Sequence, residues 1–406
     1  MNKKQTKTGL ENFIENPDCE LFGELFSEPT YELYGKRLGL LCNPASVNSN
    51  FQHAKDLINK LFPGQLKALF SPQHGFYAEK QDNMIESGHF TDAELKIPVF
   101  SLYHAKRIPG REMFDKIDVL LVDIQDVGTR VYTFIYTVSY CMEVAAKYNK
   151  KVIIFDRPNP IGGLQIEGNI LSEDCKSFVG RFPIPMRHGL TVGEISLLFN
   201  REFNINCELE VIPMKNWKRE MYFTDTGLPW IAPSPNLPSP QSCMVYPGQV
   251  IFEGTNISEG RGTTLPFEQF GAPFLNIKKI KNEVESSGLI QGAVLRPVIF
   301  QPVHGKWQGR VCKGFQIHIS KKEKFNSYLT SLLLLQSIIK IHPYEFKFKE
   351  PPYEYEFERT PVDLILGSRS LRKRLCAQGN LSSIAQEWEP QLKKFKSVAK
   401  QYHLYE

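Results

Sequence analysis

Asp118-Val-Leu-Leu-Val122 runs without a break into Asp123-Ile-Gln125-Asp126-Val-Gly128-Thr-Arg130. Val152-Ile-Ile-Phe155 runs in the same way into Asp156-Arg157-Pro158-Asn159-Pro160-Ile-Gly-Gly163. An uninterrupted apolar run of this length suits a strand buried on both faces, as in a parallel sheet. The polar residues that follow each run fall at the carboxyl end of the strand, the edge where open α/β sheets place their ligands.

Outward from these two runs the chain keeps alternating. Arg37–Leu41, Leu66–Phe70 and Ile97–Tyr103 read as further strands. Phe51–Leu61 and Tyr132–Tyr148 have helical spacing, and Cys207–Pro213 alternates like a strand. The order βαββ(α)βαβ predicts an α/β fold, a Rossmann-like doubly wound parallel sheet with its strand ends on one edge. Thr191-Val-Gly-Glu194 has the spacing of a capping box, which makes Glu194 a structural residue. Residues 229–247 are proline-rich and read as an irregular crossing. Beyond them, Ile277–Ser287, Phe325–Ile341 and Leu381–Tyr402 are predicted helices, and Ala293–Val303 and Gly314–Ile319 predicted strands. The charged aromatic stretch Tyr344–Arg359 reads as an irregular connection. The expected division is a Rossmann-like N-terminal domain, 1–240, and a smaller α+β C-terminal domain, 241–406, with the site in the cleft between them.

Composition narrows the function. The 406 residues are 42 % hydrophobic and 23 % charged with a net charge of +5, ordinary for a globular protein. No dense Lys/Arg block points to nucleic acid. Cys19, Cys42, Cys141, Cys175, Cys207, Cys243, Cys312 and Cys376 show no CxxC pair or zinc-finger spacing, so neither a disulfide framework nor a metal site is expected. The basic start lacks the apolar core of a signal peptide. Leu332–Ile341 is too short to span a membrane. The expectation is a cytoplasmic protein with no membrane or nucleic-acid partner.

Several loops carry side chains suited to acid–base work. In Ser71-Pro72-Gln73-His74-Gly75-Phe76, a histidine beside a glycine can donate to a ligand or shuttle a proton, or it can simply bond a loop carbonyl. Glu79 and Glu86 share a face if their segment is helical. Asp123 and Asp126 read either as ligand contacts or as braces for Arg130 or Arg157. Arg187-His188 precedes a helix start and could hold a carboxylate. Glu253-Gly-Thr-Asn256-Ile-Ser-Glu259-Gly-Arg261-Gly-Thr-Thr264 has glycines for close backbone approach and an arginine suited to a carboxylate. No phosphate loop, GxGxxG fingerprint or GxSxG elbow is present. Carboxylate chemistry on an acidic substrate remains, and glycoside hydrolysis has those needs.

The same loops, with Asn43-Pro44, Pro185-Met-Arg187-His188-Gly189-Leu-Thr-Val-Gly-Glu194 and Pro233-Ser-Pro-Asn236, resemble the NamZ-type exo-β-N-acetylmuramidase family from about Leu38 to the C-terminus. The resemblance implies release of N-acetylmuramic acid from the non-reducing end of peptidoglycan fragments, with a small saccharide or muropeptide as substrate and no cofactor. It implies Pro-Glu-His-Gly where this chain has Pro72-Gln73-His74-Gly75. A glutamine cannot act as a carboxylic acid, so either Glu79 takes that role or this branch is an inert sugar-binding protein or a hydrolase of another acidic sugar. On the enzyme reading, Glu79 is the general acid or base, with His74 and Gln73 orienting sugar or water. Asp123 and Asp126 contact hydroxyls or brace Arg157, and Arg187 and Arg261 hold the lactyl carboxylate. Gln125, Asn159, His188, Asn236, Glu253, Asn256 and Glu259 complete the substrate-binding set.

Overall fold

A computed structural model describes residues 4–15, 31–81, 84–103 and 107–406; Cys19 lies outside them. The strands of the first half are β1 (Leu38–Cys42), β2 (Leu66–Ser71), β3 (Phe90–Thr91), β4 (Pro98–Ser101), β5 (Val119–Asp123), β6 (Lys151–Phe155), β7 (Glu167–Ile170), β8 (Pro185–Arg187) and β9 (Leu209–Ile212). Seven of them form one sheet in the order β3-β4-β2-β1-β5-β6-β9, parallel except for the β3–β4 edge. β7 and β8 pair separately as an antiparallel hairpin.

The apolar runs are uninterrupted because the sheet is covered on both faces. Every residue of β5 is buried. Leu120 and Val122 join one core with Phe134, Ile135 and Val138 of the helix Phe134–Lys147. Val119 and Leu121 join the other, with Leu10, Phe13, Ala54 and Ile58. Successive side chains of a strand point to opposite faces, so the run must be apolar at every position.

The second half holds β10 (Gln269–Ala272), β11 (Ala293–Phe300) and β12 (Cys312–Ile319) in an antiparallel sheet ordered β10-β12-β11. Its long helix, Ser327–Ile341, packs against the helix Pro240–Gln249. The latter occupies the end of the stretch read as irregular. Ser239 caps it and Pro240 takes the first helical position, where a missing N–H costs nothing. Gly248 lets the two helices touch, since a Cβ there would fall 2.0 Å from the Ser327 carbonyl oxygen. One apolar core is continuous through both halves, joining Val122 and Phe134 to Val245, Leu332 and Leu364. Among the described residues, no helix is long and apolar enough to cross a membrane.

Candidate active site

β1 pairs with β2 on one side and β5 on the other. The sheet therefore grows in opposite directions from this point, and the crevice beyond the two strand ends is the expected ligand position. There the polar side chains bond one another and leave only a small hollow, lined by Ala45, Val47, Gln125 and Arg157 among others. Arg157 makes a bidentate pair with Asp123, Nε to Oδ1 at 2.5 Å and Nη2 to Oδ2 at 2.8 Å, and donates to the Val47 carbonyl. Both side chains are buried. Gln125 donates to the carbonyls of Asp126 and Pro158, and Asn159 to that of Leu190. Gly128, at φ +74°, passes so close to Asn159 that a Cβ would lie 2.4 Å from its Oδ1. Asp156 accepts from Thr191, the Gly193 amide and Tyr405 near the C-terminus. These polar strand ends tie loops together.

A hollow that gathers five of the expected residues lies to the side, over the ends of β2 and β5 and against the second half of the chain. Its non-atom space is about 440 Å³, open mouth included. Gln73, His74, Asn236, Glu253 and Arg261 line it, together with residues the sequence reading did not select: Thr133, Tyr246, Tyr353 and Glu354. A second hollow adjoins it, sharing Glu253, Arg261 and Tyr353 and adding Glu259, Lys306 and Lys349.

Two buried carboxyls face this hollow in contrasting surroundings. Glu253 accepts from Arg261 Nη2 on Oε1 (2.7 Å) and from the Tyr353 hydroxyl on Oε2 (2.7 Å). Arg261 also faces Glu259 at 3.3 Å, and Lys306 donates to Glu259 at 2.7 Å. Burial pushes the Glu253 carboxyl up, but Arg261, Tyr353 and Lys306 outweigh it and hold the group below its ordinary range. Glu354 accepts from Gln73 Nε2 on Oε1 (3.0 Å), and from the Tyr103 hydroxyl (2.7 Å) and Arg107 Nη2 (3.3 Å) on Oε2. Here burial prevails over those donors and raises the carboxyl above its ordinary range. Thr133 donates to Gln73 Oε1 at 2.8 Å, which fixes the orientation of the amide. His74 both lines the hollow and meets a loop carbonyl, its Nδ1 2.8 Å from the oxygen of Lys80. A carbonyl only accepts, so the Nδ1 atom of His74 carries a proton.

The remaining expected site residues are elsewhere. Glu79 is exposed and its carboxylate lies against Gly75, outside the lining of the hollow. The described residues between Glu79 and Glu86 are not helical, so the two do not share a helix face. Arg187 is buried and bound to Glu167 (2.5 Å) and the Ile161 carbonyl, bracing the β7–β8 hairpin rather than awaiting a ligand. Asn256 bonds the Glu345 carbonyl and the Lys347 amide and so positions a loop. Asn236 donates to the Gln81 carbonyl at the rim of the hollow. Asp123, Gln125, Arg157 and Asn159 bond one another's loops at the switch point, where Gln125 and Arg157 line a small separate hollow, and Asp126 and His188 lie buried away from both linings.

Asp126 and His188 give a pH signature. Asp126 accepts the Gly128 amide on Oδ2, and His188 Nε2 stands 3.9 Å from that oxygen. Burial pushes Asp126 up to about 7. Burial, with Arg187 beside it, pushes His188 down to about 3. The Asp126 contribution is therefore lost as pH rises from about 4 to about 7, because the unfolded chain gives up its proton first. That of His188 is lost as pH falls from about 6.5 to about 3, so the two slopes oppose. Asp126→Asn removes one of them. Measured by urea unfolding, the stability of the variant relative to wild type is expected to improve by roughly 3 kcal/mol between pH 4.5 and 7.5. A constant difference would show that Asp126 ionises normally.

Comparison with known proteins adds a separate line of observation. The family model described as "Exo-beta-N-acetylmuramidase NamZ, N-terminal" matches residues 38–241, and its C-terminal counterpart matches residues 244–405. Peptidoglycan beta-N-acetylmuramidase NamZ of Bacillus subtilis (strain 168) is 40 % identical over 403 residues, which cover 99 % of this chain and 92 % of that protein. Two solved structures of DUF1343 family proteins from Bacteroides fragilis NCTC 9343 are also similar. One has a TM-score of 0.86 at 32 % identity, the other 0.75 at 28 %, and each alignment covers 99 % of both chains.

Proposed function

The chain belongs to the NamZ exo-β-N-acetylmuramidase family, and from that premise we propose that it is a glycoside hydrolase releasing N-acetylmuramic acid-type sugars from the non-reducing end of peptidoglycan fragments. The observation that carries this reading is the buried Glu253 paired with Arg261 in a hollow also lined by Gln73, His74 and Asn236. Glycosidic bond cleavage passes through an oxocarbenium-like state, which a fixed carboxylate stabilises. Arg261, which lines both hollows, is the cation placed to face a lactyl carboxylate. The site then lies between a part ending near residue 240 and the remainder of the chain. Gln73 does not leave the hollow without an acid, because Glu354 is bonded to it, so the amide gives no reason to prefer an inert sugar-binding protein.

The test is direct. The purified protein, incubated with a β-1,4-linked N-acetylmuramic acid–N-acetylglucosamine disaccharide, is expected to release free N-acetylmuramic acid. The matching disaccharide without the lactyl group is expected to be cut far more slowly. No release from the first substrate, or equal rates on both, would count against the assignment.

A further inference from the structure

We propose that Glu354 is the catalytic proton donor, delivering its carboxyl proton to the oxygen of the departing sugar. This deepens the glycosidase reading above and rests on it. Gln73 is an amide and has no acidic proton to give. Its Nε2 is spent on Glu354 Oε1 and its Oε1 accepts from Thr133, so Gln73 acts as a positioning residue for the carboxyl. Tyr103, just beyond β4, holds the other oxygen, and Arg107 also donates to the Glu354 carbonyl oxygen at 2.8 Å. A carboxyl clamped from three places and facing a hollow has the fixed geometry that proton transfer needs.

The backbone at this residue is also unusual. Tyr353 and Glu356 exchange two backbone hydrogen bonds across a two-residue turn, and the central residues Glu354 and Tyr355 have φ of +50° and +61°. Two successive left-handed positions are the pattern that Asn-Gly normally fills. A glutamate and a tyrosine there are conformationally unfavourable, and side chains kept in such positions cluster at functional sites. The turn leaves Tyr353 and Glu354 adjacent on the wall of the hollow, the first bonded to Glu253. Burial keeps Glu354 protonated more readily than Glu253, and neighbouring titratable groups pushed in opposite directions mark acid and counter-charge. In the reaction, the bond between C1 and the bridging oxygen breaks with its electron pair remaining on that oxygen, which takes the Glu354 proton. A water oxygen then bonds to C1, and one of its protons returns to Glu354.

A proton donor is exposed by the leaving group. Glu354→Gln and Glu354→Asp are assayed on the disaccharide and on an aryl N-acetylmuramide whose phenol is acidic enough to depart unprotonated. Both variants are expected to lose about 10²–10⁴-fold in kcat on the disaccharide and far less on the aryl substrate. Equal losses on the two substrates, or no loss, would overturn the assignment and leave the glycosidase reading standing. Glu354→Asp keeps the carboxyl and its charge, so it decides the matter if Glu354→Gln does not fold. A wild-type protein inactive on both substrates would overturn the glycosidase reading and this inference together.

Discussion

Glu253→Gln is expected to cut turnover of the disaccharide by roughly 10²–10³-fold, and turnover of the aryl N-acetylmuramide by a similar factor. The reason is where the charge acts. Glu253 is held ionised by Arg261, and its second oxygen takes the Tyr353 hydroxyl. A fixed negative charge of this kind stabilises positive charge growing on the sugar ring, whatever the leaving group is. Parallel loss on both substrates is therefore the opposite of the split expected for Glu354. The amide keeps the size of the side chain and an oxygen for Tyr353, and Arg261 retains Glu259 at 3.3 Å. The fold should survive, with a stability cost on the order of 2 kcal/mol for a weakened buried pair. Steady-state rates on the two substrates, with a thermal melt of each protein, decide the point. Unchanged rates would place the sugar ring away from Glu253.

How much of this was legible beforehand follows from the range of the interactions. The sheet was readable because burial on both faces writes itself locally, as unbroken apolar runs such as Val119–Val122 and Val152–Phe155. β3 was not readable, because two exposed residues at an edge leave no apolar pattern. The helix Pro240–Gln249 was hidden by prolines that here mark a helix start. The site was half legible. Gln73, His74, Asn236, Glu253 and Arg261 stand in distinctive loops and meet in one hollow. Asp123 and Arg157 looked equally distinctive and serve one another, since a strand end needs polar groups to tie its loops whether or not a ligand binds. Glu354 was missed because its partner Gln73 is 281 residues away and nothing periodic surrounds it. Its one local sign was an acid between two tyrosines just after Pro351-Pro352, and only the paired left-handed backbone gives that sign a meaning.

The same logic of distance makes Arg130 a residue on which the joining of the two halves depends. It closes the loop after β5 and is fully buried. Its Nη1 donates to the carbonyls of Asn169 (2.8 Å) and Ile184 (3.1 Å), and its Nη2 to those of Ile365 (3.2 Å) and Leu366 (2.8 Å). No carboxylate of the described residues lies within ion-pairing distance of it, and burial lowers its pKa. What holds the charge is the carboxyl end of the helix Pro361–Leu366, whose last carbonyls lack partners within the helix and carry negative partial charge. Arg130→Met fills the space but strands acceptors. Leu366 keeps Asn169 Nδ2 and the Tyr328 hydroxyl, and Ile184 keeps the Leu171 amide, while the Asn169 and Ile365 carbonyls lose a donor at about 1–3 kcal/mol each. A loss of about 4 kcal/mol in urea unfolding is expected, a large part of the ~5–15 kcal/mol that holds a domain folded. Arg130→Lys, with one ammonium for two pairs of carbonyls, should fall between it and wild type. The damage should also reach catalysis, because Thr133, three residues on, holds the Gln73 amide that holds Glu354. In whatever fraction of Arg130→Met remains folded, kcat on the disaccharide should drop more than kcat on the aryl substrate, a weaker copy of the Glu354 split. Arg130→Met as stable as wild type would mean that those carbonyls find water, and that the two halves are held together by their shared apolar core alone.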